Sequence, residues 1–373
     1  MTGIHSARTT ELNSFDAANE LVAGLSGASA RLVVFFAGIK QDGAAIGEAL
    51  RKRFPGASVI GCSSNGEFSD GGYGKGGAVA VAIGPDRIGA CAAEMALVGG
   101  DVDAGIRDAA ARMSAKLGRG LNELPPERFA GLALLEGARG REERINEALG
   151  NVAPFLPFVG GSAGDDITFS GTWTFVDGKL ERDGTALVCA EMLVPFTVMK
   201  TCHFDATERV VTVTKIDAAR RLILALDGEP AAPYYAKVLG IPVSELAFEH
   251  FHVNPLGLMI DGEPWLRSVI RPEGDALLLA CAVIEGARLH FMRAGDMVAD
   301  AEQAFAKTCA KLGGSVGGGI FFNCAFRMVE ASIKGCEERY HRVLSTIPHA
   351  GLHTNGESYI GHINQTLTGL LFA

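Results

Sequence analysis

The chain has 373 residues and a formal net charge of −9. That length suits two domains better than one core, and that charge argues against a nucleic-acid or anionic-membrane footprint. No apolar stretch reaches the roughly 18–20 residues that span a bilayer, and residues 1–20 hold no apolar signal-peptide core, so a soluble cytoplasmic protein is expected.

Residues 15–25 read as a short helix after an extended lead. Residues 33–38 (VVFFAG) are a buried strand, and residues 42–54 a helix with Ile46, Leu50 and Phe54 on one face, ending at Pro55-Gly56. A strand at 58–62 leads into the polar turn SSNGE, the flexible glycine loop DGGYGKGG, and an antiparallel pair at 78–83 and 88–98. Residues 101–117 form an amphipathic helix, 129–135 a strand and 141–149 a short helix. The chain then reads LPFVGGSAGDD over 156–166, a strand that ends in a glycine-rich turn closed by Asp165 and Asp166. Strands are expected at 172–176 (before a hairpin turn at Gly178), 186–192, 197–202 and 209–214, and a helix at 218–226, with a domain boundary near 205–220. Residues 254–270 alternate as strands about Gly262-Glu263, and 276–283 and 288–292 continue the sheet. A helix at 299–312, a strand at 315–323, a long helix within 324–344 and a strand at 366–373 complete the chain.

Two of these turns share one pattern. GCSSNGE at 61–67 and GLHTNGE at 351–357 both fit G-x-x-[ST]-N-G-E. Asn-Gly alone is only a turn signal, but the surroundings repeat as well: strand, helix, strand, polar turn with a carboxylate, strand. VGGSAGDD is an altered third occurrence. Strands outnumber helices and hairpins are frequent. The expected fold class is therefore mixed α/β (α+β), two modules built from repeated strand-helix-strand units with substantial antiparallel sheet.

At GCSSNGEF (61–68), VGGSAGDD (159–166), FFNCAFR (321–327), GLHTNGES (351–358) and HINQT (362–366) the chain resembles FIST-domain proteins. The resemblance implies an N-terminal FIST module over 31–210 and a C-terminal FIST module over 220–360, with the final strand to 373 packed on the sheet. It implies a signal-transduction input protein that binds a small ligand, such as an amino acid or similar metabolite, between the modules. Its partner would be a separate signalling protein such as a histidine kinase. A subgroup is similar to haem-binding nitric oxide sensors, which makes haem b the alternative to a protein without cofactor.

A carboxylate placed after Asn-Gly at a strand end has two uses. It accepts from a ligand ammonium in a cleft, or it ties down its own loop. Glu67, Glu357, Asp165 and Asp166 face that choice, beside Asn65 and Asn355. Arg327, near a helix start, offers a planar fork either to a ligand carboxylate or to Glu357. Cys324 and Cys62 are buried thiols, or reactive ones if a helix N-terminus lowers their pKa. For haem one axial imidazole suffices; the candidates are His353 and then His252, which shares a face with His250 if that stretch is a strand. The eight cysteines form no C-x-x-C pair, and no zinc ligand set, G-x-S-x-G, phosphate loop or dinucleotide fingerprint occurs. No enzyme and no structural metal are expected, with a cysteine-dependent hydrolase as the remaining alternative.

Overall fold

The computed structural model describes residues 3–373. The chain forms two compact units. One comprises the chain up to Thr201, Ala301–His362 and Leu367–Ala373; the other comprises Cys202–Asp300 and Ile363–Thr366. Both are mixed α/β with substantial antiparallel sheet, as the alternation of strands and helices leads one to expect.

In the first unit the strand-helix-strand element occurs three times, each time as a parallel strand pair. Leu32–Gly38 pairs with Ser58–Ser64 across the helix Gly43–Arg53. Phe129–Leu135 pairs with Phe158–Ser162 across Glu142–Val152. Gly318–Cys324 pairs with His349–Thr354 across Ala325–Ile333 and Glu337–Leu344. The registers Ala37↔Ser63, Leu135↔Ser162 and Asn323↔His353 align the three copies at their ends. Each parallel pair sits in the middle of its own six-stranded sheet.

The strand after each polar turn leaves its own copy. Glu67–Ser69, from the first copy, pairs with His349–Thr354 of the third. Glu357–Tyr359, from the third, pairs with Phe158–Ser162 of the second. Thr174–Val176, from the second, pairs with Ser58–Ser64 of the first. The exchange therefore closes into a ring of three.

The central strands are continuous apolar runs because both of their faces are covered. On Leu32–Gly38, Val33, Phe35 and Ala37 pack with Ile46 and Leu50 of the neighbouring helix. Val34 and Phe36 face a second core shared with Leu132, Leu134, Ile320 and Phe322 from the other two copies. Three helices start at side-chain caps: Asn13, Asp42 and Asp101 accept first-turn N–H groups. The edge strand Ile88–Leu97 is shielded from strand addition, since Arg112 donates to the Met95 carbonyl at 2.7 Å and Lys116 to the Ala93 carbonyl at 2.8 Å.

The second unit is an eight-stranded antiparallel sheet with the helices Ala231–Leu239 and Phe248–Val253. Tyr235, Phe251, Leu256 and Phe291 lie in its core. Ile363–Thr366 belongs to it, where Gln365 accepts from Ser268 Oγ at 2.8 Å and donates to the His252 carbonyl at 3.0 Å.

Four expectations change. Residues 218–226 are not helical: Leu222–Leu226 is a strand paired with Phe204–Asp217, and residues 218–221 are the turn between them, held by Asp217 accepting from Arg220 N. Helix-forming composition loses here to hairpin pairing of a β-suited run. The long helix after Cys324 is two helices, separated at Gly335, whose φ of 60° ends helical backbone. The glycine loop contains a strand, Gly72–Gly74, that forms a hairpin with Glu67–Ser69. His250 and His252 lie on the helix Phe248–Val253, where a two-residue spacing turns them to different sides.

Candidate functional site

The three polar turns converge. Asn65 N donates to the His353 carbonyl at 3.0 Å, Asn355 N to the Ser162 carbonyl at 3.2 Å, and Gly164 N to the Ser63 carbonyl at 2.9 Å. Each turn thus docks on the strand end of the next copy. Side chains complete the hub: Asn65 Nδ2 donates to Asn355 Oδ1 at 2.8 Å, and Asn355 Nδ2 to the Gly137 carbonyl at 2.9 Å. Asn65 Oδ1 accepts from Asp165 N at 3.1 Å and Ile167 N at 2.9 Å. Gly164 stands where the other copies have asparagine. A Cβ there would lie 2.4 Å from Asn65 N, so the centre holds two asparagine side chains and a bare backbone.

The carboxylates of the turns face inward in two copies. Glu67 is 2 % exposed and accepts from Ser64 Oγ; Glu357 is fully buried and accepts from Thr354 Oγ1. Burial pushes the Glu67 carboxyl up to about 8, against the lowering effect of the Ser64 hydrogen bond. Counted from the aligned strand ends, Asp166 takes the corresponding place in the second copy, but it is partly exposed and pairs with Lys75 at 3.1 Å. Asp165 instead ties its own loop, accepting from Phe169 N at 3.0 Å, Ser170 N at 2.6 Å and Gly171 N at 3.1 Å.

Arg327 and His353 belong to a second buried network in the third copy. Asn323 Oδ1 accepts from Tyr340 Oη at 2.7 Å and Arg327 Nε at 3.2 Å, while Asn323 Nδ2 pairs with His353 Nδ1 at 2.9 Å. Arg327 is fully buried and its Cζ lies 5.3 Å from the Tyr340 ring centre. Around Phe68 stand three imidazoles, with ring centres 5.1 Å (His341), 5.7 Å (His349) and 5.1 Å (His353) away. Tyr73, on the exchanged hairpin, stacks on His341 at 4.3 Å. Burial, and for two of them a neighbouring imidazole, shifts all three toward the neutral form: His341 falls to about 3, His349 is lowered and His353 lies well below the ordinary range. Glycine is required at the G of the motif in this copy, because a Cβ on Gly351 would meet the Phe68 ring at 2.3 Å.

The sequence-predicted residues are thus split. Asn65, Asn355 and Asp165 meet at the hub, Glu67 and Glu357 lie beside it on their own turns, and Arg327 joins Asn323 and Tyr340. Cys324 is buried and borders a cavity of about 10 Å3 with Phe326, Thr354, Asn355, Ile167 and Phe169, room for about one water molecule. Cys62 is fully buried and its thiol is pushed well above its ordinary range, which disfavours the reactive thiolate. His252 lies buried in the second unit, stacked on Phe248 at 5.4 Å.

An open groove of about 820 Å3 in the first unit was not anticipated. Phe155, Phe158, Phe196, Tyr359 and Ile360 give it an apolar lining, and Glu127 and Lys311 place one charge of each sign on it. Neither His353 nor His252 is among the lining residues. Phe155 and Ile360 are 70 % and 83 % exposed. The only sequence signal for the groove is the run APFLPF over 153–158, in which two prolines hold large apolar side chains in a connection. Among the described residues no group of three or more His, Cys, Asp or Glu side chains is arranged to hold a metal ion, and no helix is long and apolar enough to cross a membrane.

Two family models match the chain: the FIST N domain over residues 31–229 and the FIST C domain over residues 231–359. A curated relative, "Uncharacterized protein MJ1623" of Methanocaldococcus jannaschii, is 22 % identical over 265 residues, covering 66 % of this chain and 50 % of the relative. The chain therefore spans about half the length of the curated relative it matches.

Proposed function

The chain belongs to the FIST family, and from that premise we propose that it is the small-ligand input of a signalling system, with the groove lined by Phe155, Phe196 and Lys311 as its ligand site. FIST domains act as small-molecule sensory modules. The observation that carries the placement is the groove's combination of volume and lining: about 820 Å3, with large apolar side chains beside polar surface, a single ammonium at Lys311 and a carboxylate at Glu127. Ligand sites of this size are mostly apolar, with a few polar groups that set orientation. An amino acid with a large apolar side chain, or a similar amphipathic metabolite, fits that chemistry. Lys311 faces its carboxylate, Glu127 its ammonium, and the phenylalanines its side chain. A separate signalling protein, such as a histidine kinase, reads the ligand state.

The other placement for an amino acid sets Arg327 toward the carboxylate and Glu67 or Glu357 toward the amine, with Asn65, Asn355, Asp165 and Cys324 around them. It asks these side chains to give up buried partners, Asn323 and Tyr340 for Arg327, Ser64 and Thr354 for the glutamates. Leaving such groups unpaired costs about 1–3 kcal/mol each, so the groove is the favoured placement. Calorimetric titration with a panel of amino acids separates the two. Loss of binding in Lys311→Ala with retention in Glu357→Gln supports the groove; the reverse pattern moves the ligand to the polar turns.

A further inference from the structure

We propose that Ile360 is a clamp for the groove's ligand, and that its strained backbone is maintained for that contact; the inference rests on the groove being the ligand site. Ile360 has a φ of 59°. A β-branched residue in the left-handed region is a genuine outlier, since its Cβ crowds the following carbonyl. Two isoleucines adopt it, Ile167 and Ile360. For Ile167 the hub supplies a reason, because Asn65 Oδ1 holds its N–H at 2.9 Å. Ile360 has a different setting. It lies at the tip of a tight turn closed by Tyr359 N donating to the Gly361 carbonyl at 2.9 Å. Its side chain is 83 % exposed, so it adds little to the packed interior.

Glycine would take this conformation without strain, and an exposed aliphatic side chain gains nothing from water. The natural residue therefore carries a backbone cost that glycine would avoid, with little burial to offset it. Strain of this kind collects at ligand clamps and switch regions. Here the strained residue lines the same groove as Phe155, which is 70 % exposed. A ligand between them removes both apolar side chains from water, and the strain at Ile360 is then offset by contact made only in the bound state. The turn directly follows the exchanged strand Glu357–Tyr359, which starts at the buried Glu357. The clamp is thus mounted on the strand that joins the third copy to the second.

The test uses the full-length chain with anilinonaphthalene sulfonate, an apolar ring system carrying one anionic group, and with L-phenylalanine as probes. Binding is followed by fluorescence and calorimetry, and stability by thermal unfolding. Ile360→Gly should bind the probes about tenfold more weakly, the loss of one large aliphatic contact, while its unfolding midpoint rises. Ile360→Asn, which also tolerates the left-handed region, should weaken binding similarly. Binding by the natural chain that is unchanged in both variants overturns the clamp and leaves the groove standing. Equal overturning force comes from a fall in the midpoint of Ile360→Gly, because the residue is then a structural one. If the natural chain binds neither probe, the groove reading fails and the clamp falls with it.

Discussion

Asn65 and Asn355 lie 290 positions apart and share a buried amide–amide hydrogen bond of 2.8 Å. The bond sits where the turns of the first and third copies meet the second, so it joins the beginning and end of the first unit. Removing either side chain strands buried partners of the other. Asn65→Ala leaves Asp165 N, Ile167 N and Asn355 Oδ1 without it and should lower stability by about 3 kcal/mol. Asn355→Ala should cost a comparable amount. The double variant should cost clearly less than the sum, because both single changes remove the shared bond. Urea unfolding of the four proteins gives the coupling, and strict additivity would contradict a shared hub.

Gly164 is the counterpart of those two asparagines, and the space there is already taken. Gly164→Asn makes the second turn look more like the other two in sequence but puts a Cβ 2.4 Å from Asn65 N. Overpacking against backbone should destabilise by about 3 kcal/mol. A variant that unfolds at the same denaturant concentration as the natural chain would show that the turn relaxes without cost.

Glu67 makes stability fall with rising pH. Burial raises its carboxyl from 4.5 to about 8, so the folded chain holds this proton more tightly than the unfolded chain does. The stabilisation is complete below pH 4.5 and is lost as pH rises through about 8. Glu67→Gln keeps a hydrogen-bonding group without the ionisation and should flatten this part of the pH–stability curve. A natural chain whose stability does not decline across that window would place the carboxyl elsewhere.

The imidazoles around Phe68 act with the opposite sign. His341 is lowered from 6.5 to about 3 by burial and by His349, and His353 lies low because of burial and His341. His349 is lowered by burial, partly offset by the Ile347 carbonyl and by Asp70. Groups with depressed pKa stabilise above their unfolded value and lose that stabilisation as pH falls through the folded one. For His341 the window runs from 6.5 down to about 3. His341→Phe preserves an aromatic surface under Tyr73 and should shift the acid unfolding midpoint to lower pH, measured by circular dichroism. An unchanged midpoint would remove the cluster from the acid response.

Arg327 separates structural from ligand-binding use of the polar interior. Arg327→Ala leaves Asn323 and the Tyr340 hydroxyl without a buried charged partner and should lower stability by about 3 kcal/mol. Affinity for an amino acid bound in the groove should stay within about twofold, a difference too small to represent a lost charged hydrogen bond. A large affinity loss at conserved stability would return the ligand to Arg327.

Much of the scaffold was legible because it is local. The three parallel pairs are apolar runs around amphipathic helices, and the turns carry a motif that repeats with its surroundings. The exchange of strands was not legible. Glu67–Ser69 reads locally as the end of a polar turn, but it is a buried strand whose partner is His349–Thr354, and no local pattern encodes a pairing at that separation. The third turn was seen as a variant, yet its register was hidden because Gly164 replaces asparagine for a steric reason that exists only once the copies meet. Residues 218–226 misled because Ala, Arg and Leu favour a helix in isolation, whereas pairing with Phe204–Asp217 decides the outcome. The groove escaped notice because Phe155 and Ile360 sit in connections, where apolar residues carry no periodic signal.

The ring of exchanged strands also limits how this chain can be divided. A fragment ending at residue 230 would keep the first two copies. In it Glu67–Ser69 would lack its natural acceptor in the third copy, Phe196–Thr201 would lack its partner Leu367–Phe372, and the sheet edge at Phe158–Ser162 would lack its natural donor. Donor and vacancy lie on different copies, so one molecule's strand can fill the next molecule's edge while its own edge waits for another. Such head-to-tail complementarity has no built-in stopping point. The intact chain carries its own terminator, because the third copy supplies both missing halves at once.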